Sequence, residues 1–245
     1  MIRSLFAMLL IVVVVANWTP TVAFSQEKPP LETKIEGPSG LPIIVRMQGP
    51  YDADVPLQIV CYFEKTPTSD TRLFGAPLEL DKRLGGVISS LRQRGEFKGD
   101  AFETMLITHP EGLIKPRQLL LIGLGSEADL SLARMEAVGR TALREAVRIG
   151  AKQVAFAPLI KDAGNDSLPA GDVENAVVRG MLLAYDTEVR LQTHGFATKF
   201  RLNAWIVEAG PAYYDETIAG VKNAIDQAKQ LIAQRSSGSY STLSK

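Results

Sequence analysis

Apolar positions along this chain fall into blocks that switch between two periods. Residues 43–47 (Ile-Ile-Val-Arg-Met) and 57–63 (Leu-Gln-Ile-Val-Cys-Tyr-Phe) are short apolar runs, separated by Gly49-Pro50 and the polar stretch 52–56. Runs of that length between turn residues predict strands. Over residues 78–91 the period changes. Leu80, Leu84, Val87, Ile88 and Leu91 recur at three- and four-residue spacing, which predicts a helix, weakened by Gly85-Gly86 and ended by Gly95. Residues 102–108 and 118–122 predict two more strands, and Gly123-Leu124-Gly125-Ser126 turns the second toward a helix over 130–149. That helix carries Leu132, Met135, Val138, Ala142, Leu143, Ala146 and Val147 on one stripe and stops at Gly150. A strand at 152–157, a polar loop at 161–171, a helix from an Asp172 N-cap to about Thr187 and a strand at 201–207 follow. The last helix, 213–234, has Tyr214, Ile218, Val221, Ile225, Ala228 and Ile232 at alternating four- and three-residue steps, a seam of heptad type. It spans fewer than three heptads, which favours a packed core face over a coiled coil. Alternating strands and helices predict one three-layer α/β/α domain over 41–235 with a mixed, largely parallel sheet. Residues 26–40 read as an exposed leader and the Ser-rich 236–245 as a frayed tail.

Composition narrows the classes. Hydrophobic residues are 46% and charged residues 22% of 245, a globular balance that argues against disorder and against a polytopic membrane protein. Lys plus Arg equals Asp plus Glu at 27 each, so no net field recruits nucleic acid or an anionic membrane. Cys61 is the only cysteine, which excludes an internal disulfide and a thiolate metal site. Its place within an apolar strand marks it as a core side chain.

The N-terminus reads as an address. Arg3, the apolar run 5–16, the polar Asn17-Trp18-Thr19-Pro20 and the small–x–small Ala23-Phe24-Ser25 are the regions of a secretory signal peptide. The run is shorter than the about 17–25 residues of a spanning helix. Cleavage after Ser25 is expected, with an uncleaved anchor as the alternative. Export to the periplasm or the extracellular medium follows, with no membrane association after cleavage.

The candidate chemistry is sparse. Gly123, Gly125 and Ser126 lie in a Gly-x-Gly-x-x-Ala stretch between a strand and a helix, where backbone N–H groups could meet a phosphate. Glu127 and Asp129 in the following turn would oppose that charge, and a tight turn with acidic residues at a helix start explains the same residues. His109 and His194 have no metal-ligand spacing to each other. Asp162, Asn165 and Asp166 read as a solvated turn.

Three stretches carry a resemblance. The first is Leu80-Asp81-Lys82-Arg83-Leu84-Gly85-Gly86-Val87-Ile88 with Gly95-Glu96-Phe97-Lys98-Gly99 after it. The second is Gln118-Leu119-Leu120-Leu121-Ile122-Gly123-Leu124-Gly125. The third is Val178-Arg179-Gly180-Met181-Leu182-Leu183-Ala184-Tyr185. In order and spacing they resemble the N-terminal, non-catalytic domain of the leucyl aminopeptidases (peptidase family M17). Val178-Arg179 departs from that pattern, standing where the family usually has an acidic residue. The resemblance implies a macro-domain-like fold. In the family a second domain supplies the chemistry, binding two divalent metal ions through a lysine and carboxylates that include an N-T-D-A-E-G-R-L motif. No such motif occurs in this sequence, so no catalytic residue, metal ligand or cofactor is carried over.

Three functions follow as expectations. The first is a non-catalytic binding or assembly module that self-associates or joins a full-length aminopeptidase, with Tyr214, Ile218, Val221, Ile225 and Ile232 as the candidate interface. The second is a macro domain that binds an ADP-ribose-like nucleotide. The third, aminopeptidase activity, rests on the family label alone.

Overall fold

The computed structural model describes residues 30–110, 112–235 and 240. The expected signal segment 1–25 lies outside the described residues, as does the tail 236–245 apart from Tyr240. Seven strands form one sheet: β1 Glu32–Glu36, β2 Pro42–Arg46, β3 Leu57–Phe63, β4 Thr104–Ile107, β5 Leu119–Gly125, β6 Gln153–Ala157 and β7 Ala204–Glu208. Their order is β1-β2-β7-β6-β3-β5-β4. The five inner strands run parallel, and the two edge strands β1 and β4 pair antiparallel with β2 and β5. The sheet is therefore mixed and largely parallel. β3 and β5 are buried at every position, as expected of parallel strands covered on both faces.

β1 lies inside the segment expected to be an exposed leader. Its residues alternate between exposed and half-buried, and it borders the sheet with Glu32, Lys34 and Glu36. Charged side chains on a short edge strand discourage pairing with another chain.

Five helices cover the sheet: α1 Ala76–Arg83, α2 Val87–Gln93, α3 Leu132–Ile149, α4 Ala170–Thr193 and α5 Tyr214–Ala233. One face carries α3, α4 and α5, packed on Ile43, Val45, Ile59, Cys61, Ile122, Phe156, Trp205 and Val207. The other face carries α1 and α2, where Leu80, Leu84 and Ile88 meet Val60, Tyr62, Leu119 and Leu121. The single helix expected over 78–91 is two, because Gly85 and Gly86 both take positive φ, at 67° and 84°. The Asp81 carboxylate then accepts from the amides of Ile88 (2.8 Å) and Ser89 (3.1 Å) and caps the second helix from the first. α4 starts earlier than expected and ends later. Asp172 lies in its first turn rather than at its cap, and Pro169 takes the cap position.

The three helices on one face approach each other through glycines. A Cβ on Gly139 of α3 would stand 2.0 Å from the Val177 carbonyl oxygen, and one on Gly180 of α4 2.0 Å from that of Glu136. One on Gly220 of α5 would stand 2.1 Å from the Gly171 carbonyl oxygen. Arg179 spans the same three helices. It donates to Glu136 on α3 (2.7 and 3.0 Å), to Asn175 on α4 (3.1 Å) and to Gln227 on α5 (2.5 Å).

Candidate functional site

Parallel strands aim their carboxyl ends one way, and in α/β sheets the crevice beyond those ends is where ligands sit. Here a cavity of about 440 Å³ opens at that edge. Its floor is Met47 after β2, Ala157 at the end of β6 and Glu208 at the end of β7. Its walls are Phe74 and Ala76 at the start of α1, the turn 158–162, the first turn of α4 with Val173 and Glu174, and Pro211, Tyr213 and Thr217 at the start of α5. Most of this lining is apolar.

Two carboxyl groups interrupt it. Glu174 is 4% exposed and Glu208 6% exposed. Glu208 ends β7 on the face that carries Ile206, where Gln58 Nε2 donates to its Oε2 at 2.7 Å. Glu174 descends from α4 on the opposite face of the sheet. Glu174 Oε2 and Glu208 Oε1 are buried without a hydrogen-bond partner, and no salt bridge reaches either residue among the described residues. Burial raises both side chains to a pKa of about 8. For Glu174 the nearby charge of Glu208 adds to the effect. For Glu208 the Gln58 hydrogen bond and Arg46 act against it. Both are thus mainly protonated at neutral pH, because a buried carboxylate without a cation is costly.

The nearby cations are committed elsewhere. Lys161 lines the cavity but pairs with Asp166 at 3.0 Å, its Nζ 5.9 Å from the Tyr213 ring centroid. Arg46 pairs with Glu32 at 2.9 Å. Asp162 also lines the cavity; its carboxylate accepts from the Ala76 amide at 3.2 Å, and burial raises its pKa. The sequence placed Asp162 in a solvated turn with Asn165 and Asp166, and of the three it alone faces the cavity. A small cluster at Arg92 is structural: the buried guanidinium binds Asp70 and donates to the Phe63 carbonyl at 3.0 Å.

The Gly-x-Gly stretch lies elsewhere. Gly123 and Gly125 belong to β5, not to a loop, and their amides already donate to the carbonyls of Glu103 and Gly99, both at 2.8 Å. A Cβ on Gly123 would stand 2.0 Å from the Asp100 carbonyl oxygen, and Gly125 takes φ 72° where the pairing with β3 shifts register. Ser126 Oγ accepts from the Ala128 amide at 3.3 Å. The two glycines close a strand end under the 99–103 segment, and their amides are not open to a phosphate. The seam of α5 is likewise internal. Tyr214, Val221 and Ile225 are buried in the chain's own core, and Ile218 and Ile232 are half-buried against it. As an interface between chains it is not available.

Two signals for the carboxyl pair were present in the sequence. Glu174 falls in the helical apolar stripe of Val177, Val178 and Met181, and Glu208 continues the alternation of Ala204 and Ile206. An acid at an inward position of an apolar period is the mark of a buried polar group.

The chain can now be set beside known proteins. A model of the cytosol aminopeptidase family, N-terminal domain, matches residues 59–193. The chain belongs to that family. A probable cytosol aminopeptidase of Thermosynechococcus vestitus is 33% identical over 121 residues, 49% of this chain and 23% of the relative. One from Pseudomonas syringae is 29% identical over 85 residues, 35% of this chain and 17% of the relative. The chain thus spans less than a quarter of these relatives, and the match is to the family's N-terminal domain. Among solved structures, a tomato leucine aminopeptidase mutant superposes with a TM-score of 0.53 at 19% identity, covering 78% of this chain and 36% of that one. An Oceanobacillus iheyensis macrodomain with ADP gives 0.56 at 9% identity, covering 82% and 100%. At such identities these likenesses show the fold, which is macro-like.

Proposed function

We propose that this aminopeptidase-family domain is an exported, non-catalytic binding module, and that its ligand occupies the cavity at the carboxyl ends of β2, β6 and β7. The observation that supports it is the cavity itself: about 440 Å³, largely apolar, with two buried carboxyls that no cation pairs among the described residues. Pockets that bind small molecules have this size and this mixture of apolar wall and a few polar groups. Export is supported by the signal-type segment 1–25. An assembly role, by self-association or with a full-length aminopeptidase, would use a surface other than the α5 seam.

The macrodomain with ADP shares this fold, which keeps a nucleotide as the second reading. Against it stand the acidic lining and the commitment of Lys161 to Asp166, since a diphosphate needs cations or free amides.

Gly210 offers a clean test. It lines the cavity, its φ is −70°, and a Cβ there meets nothing within 4 Å. Gly210→Trp should therefore fill the cavity and leave the fold intact. A thermal-shift screen with metabolites, including ADP-ribose, should give ligands that stabilise the native chain and lose their effect on Gly210→Trp. Stabilisation that survives the substitution, or none from the whole screen, rules the reading out.

A further inference from the structure

Glu174 and Glu208 have no structural duty that explains them. A buried acid is normally retained with a cation or a full set of hydrogen bonds. Here Glu208 has one donor, the Gln58 amide, and no donor to Glu174 is recorded among the described residues. Both line the same cavity, reaching it from opposite faces of the sheet.

We propose that the cavity binds a small organic cation, a primary ammonium on an apolar body, with the ammonium between Glu174 and Glu208 and the body against Met47, Phe74, Leu159 and Tyr213. This rests on the cavity being a binding site and adds the chemical class of its ligand. A primary ammonium has three N–H donors, and the carboxyls of Glu174 and Glu208, both in the cavity lining, supply acceptors for it. Aromatic walls suit both an apolar body and a nearby cation.

The charge balance fixes a signature. Both acids titrate near pH 8 without ligand. When the ammonium enters at neutral pH, one carboxyl gives its proton to the buffer and becomes the counter-ion, and the other stays protonated. The cavity remains neutral, and about one proton is released per ligand bound. Other ionisable groups stand nearby. Lys161, Asp162 and Tyr213 line the cavity, Arg46 and Asp52 act on Glu208, and Cys61 lies near Glu174. Lys161 remains paired with Asp166, and burial holds the Cys61 thiol protonated far above neutral pH.

Three probes of one shape test the idea on the purified chain by titration calorimetry: phenethylamine, 2-phenylethanol and 3-phenylpropanoate. The amine should bind at least tenfold more tightly than the alcohol, and the carboxylate should not bind. Titrations in buffers of different ionisation enthalpy should show about one proton released at pH 7. The amine's affinity should rise toward tenfold per pH unit between pH 6 and 8, as expected when binding requires one deprotonation. The Glu174→Gln, Glu208→Gln double variant should lose the amine by tenfold or more while binding the alcohol unchanged. Glutamine is nearly isosteric, and the proton count on the native chain is an independent readout should that variant misfold.

Equal binding of amine and alcohol, binding of the carboxylate, or no proton release overturns the assignment. If those ligands still vanish on Gly210→Trp, the cavity remains the binding site and only the cation is wrong. Binding of ADP-ribose that Gly210→Trp removes has the same meaning. No binding by any of the three probes also refutes the cation, whereas the binding-module reading falls only with the wider screen.

Discussion

Replacing Gly180 by alanine sets two rules against each other. In an exposed helix, glycine to alanine is stabilising by about 1 kcal/mol, because the unfolded chain loses freedom and the helix gains propensity. Gly180 is in the interior of α4, so the sequence alone predicts that gain. The structure predicts the opposite. A Cβ there would lie 2.0 Å from the backbone oxygen of Glu136 on α3, roughly 1.4 Å inside ordinary contact distance. The obstacle is backbone, so no rotamer change relieves it. α3 and α4 must move apart by about an ångström where Val138, Ala142, Val177 and Met181 fill the core. Overpacking of this kind costs roughly 1–3 kcal/mol, and the lower end already includes some relaxation. Set against the propensity gain of about 1 kcal/mol, the expected outcome is a net loss of about 1 kcal/mol, at most about 2. Urea unfolding measures it as a lower midpoint at unchanged slope. Gly139→Ala should behave alike, since its Cβ would meet the Val177 carbonyl at 2.0 Å. The double variant should lose less than the sum, because one separation of the helices relieves both contacts. A Gly180→Ala chain at least as stable as the parent would refute close glycine packing as the basis of this helix layer.

Two further predictions follow from carboxyl side chains. Glu174 and Glu208 have folded pKa values of about 8 against 4.5 as ordinary side chains, so the native state binds more protons than the unfolded chain between those limits. Their stability contribution is full below about pH 4.5 and is lost as pH rises toward 8, by roughly 1 kcal/mol per pH unit for each carboxyl. Glutamine at either position should therefore gain on the native chain from pH 5 to pH 8 in urea unfolding, and a constant difference would contradict the burial. Separately, Glu103 Oε2 accepts from the amides of Lys98 (2.9 Å), Gly99 (2.7 Å) and Asp100 (3.2 Å). Glu103→Ala should cost about 2 kcal/mol and speed hydrogen exchange at those three amides; unchanged exchange would show that they need no acceptor.

What could be seen in the sequence was whatever a local period expresses. β3 coincides with the run 57–63 because an uninterrupted apolar stretch between breakers has few other fates. β1 escaped because Ile35 is the one apolar residue between Glu32 and Glu36. An edge strand buries little, so it needs little hydrophobic pattern, and its charges guard an open edge. Gly85-Gly86 was visible as a weakness, but the full break depends on both residues taking positive φ and on Asp81 reaching over to cap α2. The Gly-x-Gly at 123–125 matched a phosphate fingerprint only in sequence. Its cause is that residues 99–103 fold over β5, a contact between segments that no local window contains. The α5 seam shows the same limit. A heptad stripe says that a helix buries one face and not whether the neighbour belongs to the same chain.

The carboxyl pair joins these levels, because the packing that closes the helix layer also fixes the cavity. Gly171 lies one turn before Glu174 on α4, and a Cβ on Gly220 would stand 2.1 Å from its carbonyl oxygen. The Gly171 amide donates to the Glu216 carboxylate at 2.9 Å. The first turn of α4 is therefore held against α5 by backbone contact and by a charged hydrogen bond, and Val173 and Glu174 are set in the cavity wall by that contact. Glu208 is fixed as firmly, since β7 is an inner strand paired on both sides and Gln58 of β3 holds its carboxyl. Neither acid sits on a loop that could swing out to water. An acid on a mobile loop would relieve its burial by moving, but these two can do so only by staying protonated or by gaining a cation. A site built this way is organised before its ligand arrives, so little ordering entropy opposes binding. The helix and sheet contacts that stabilise the domain hold both carboxyls in place, so a ligand that supplied the missing charge would stabilise the native state through them.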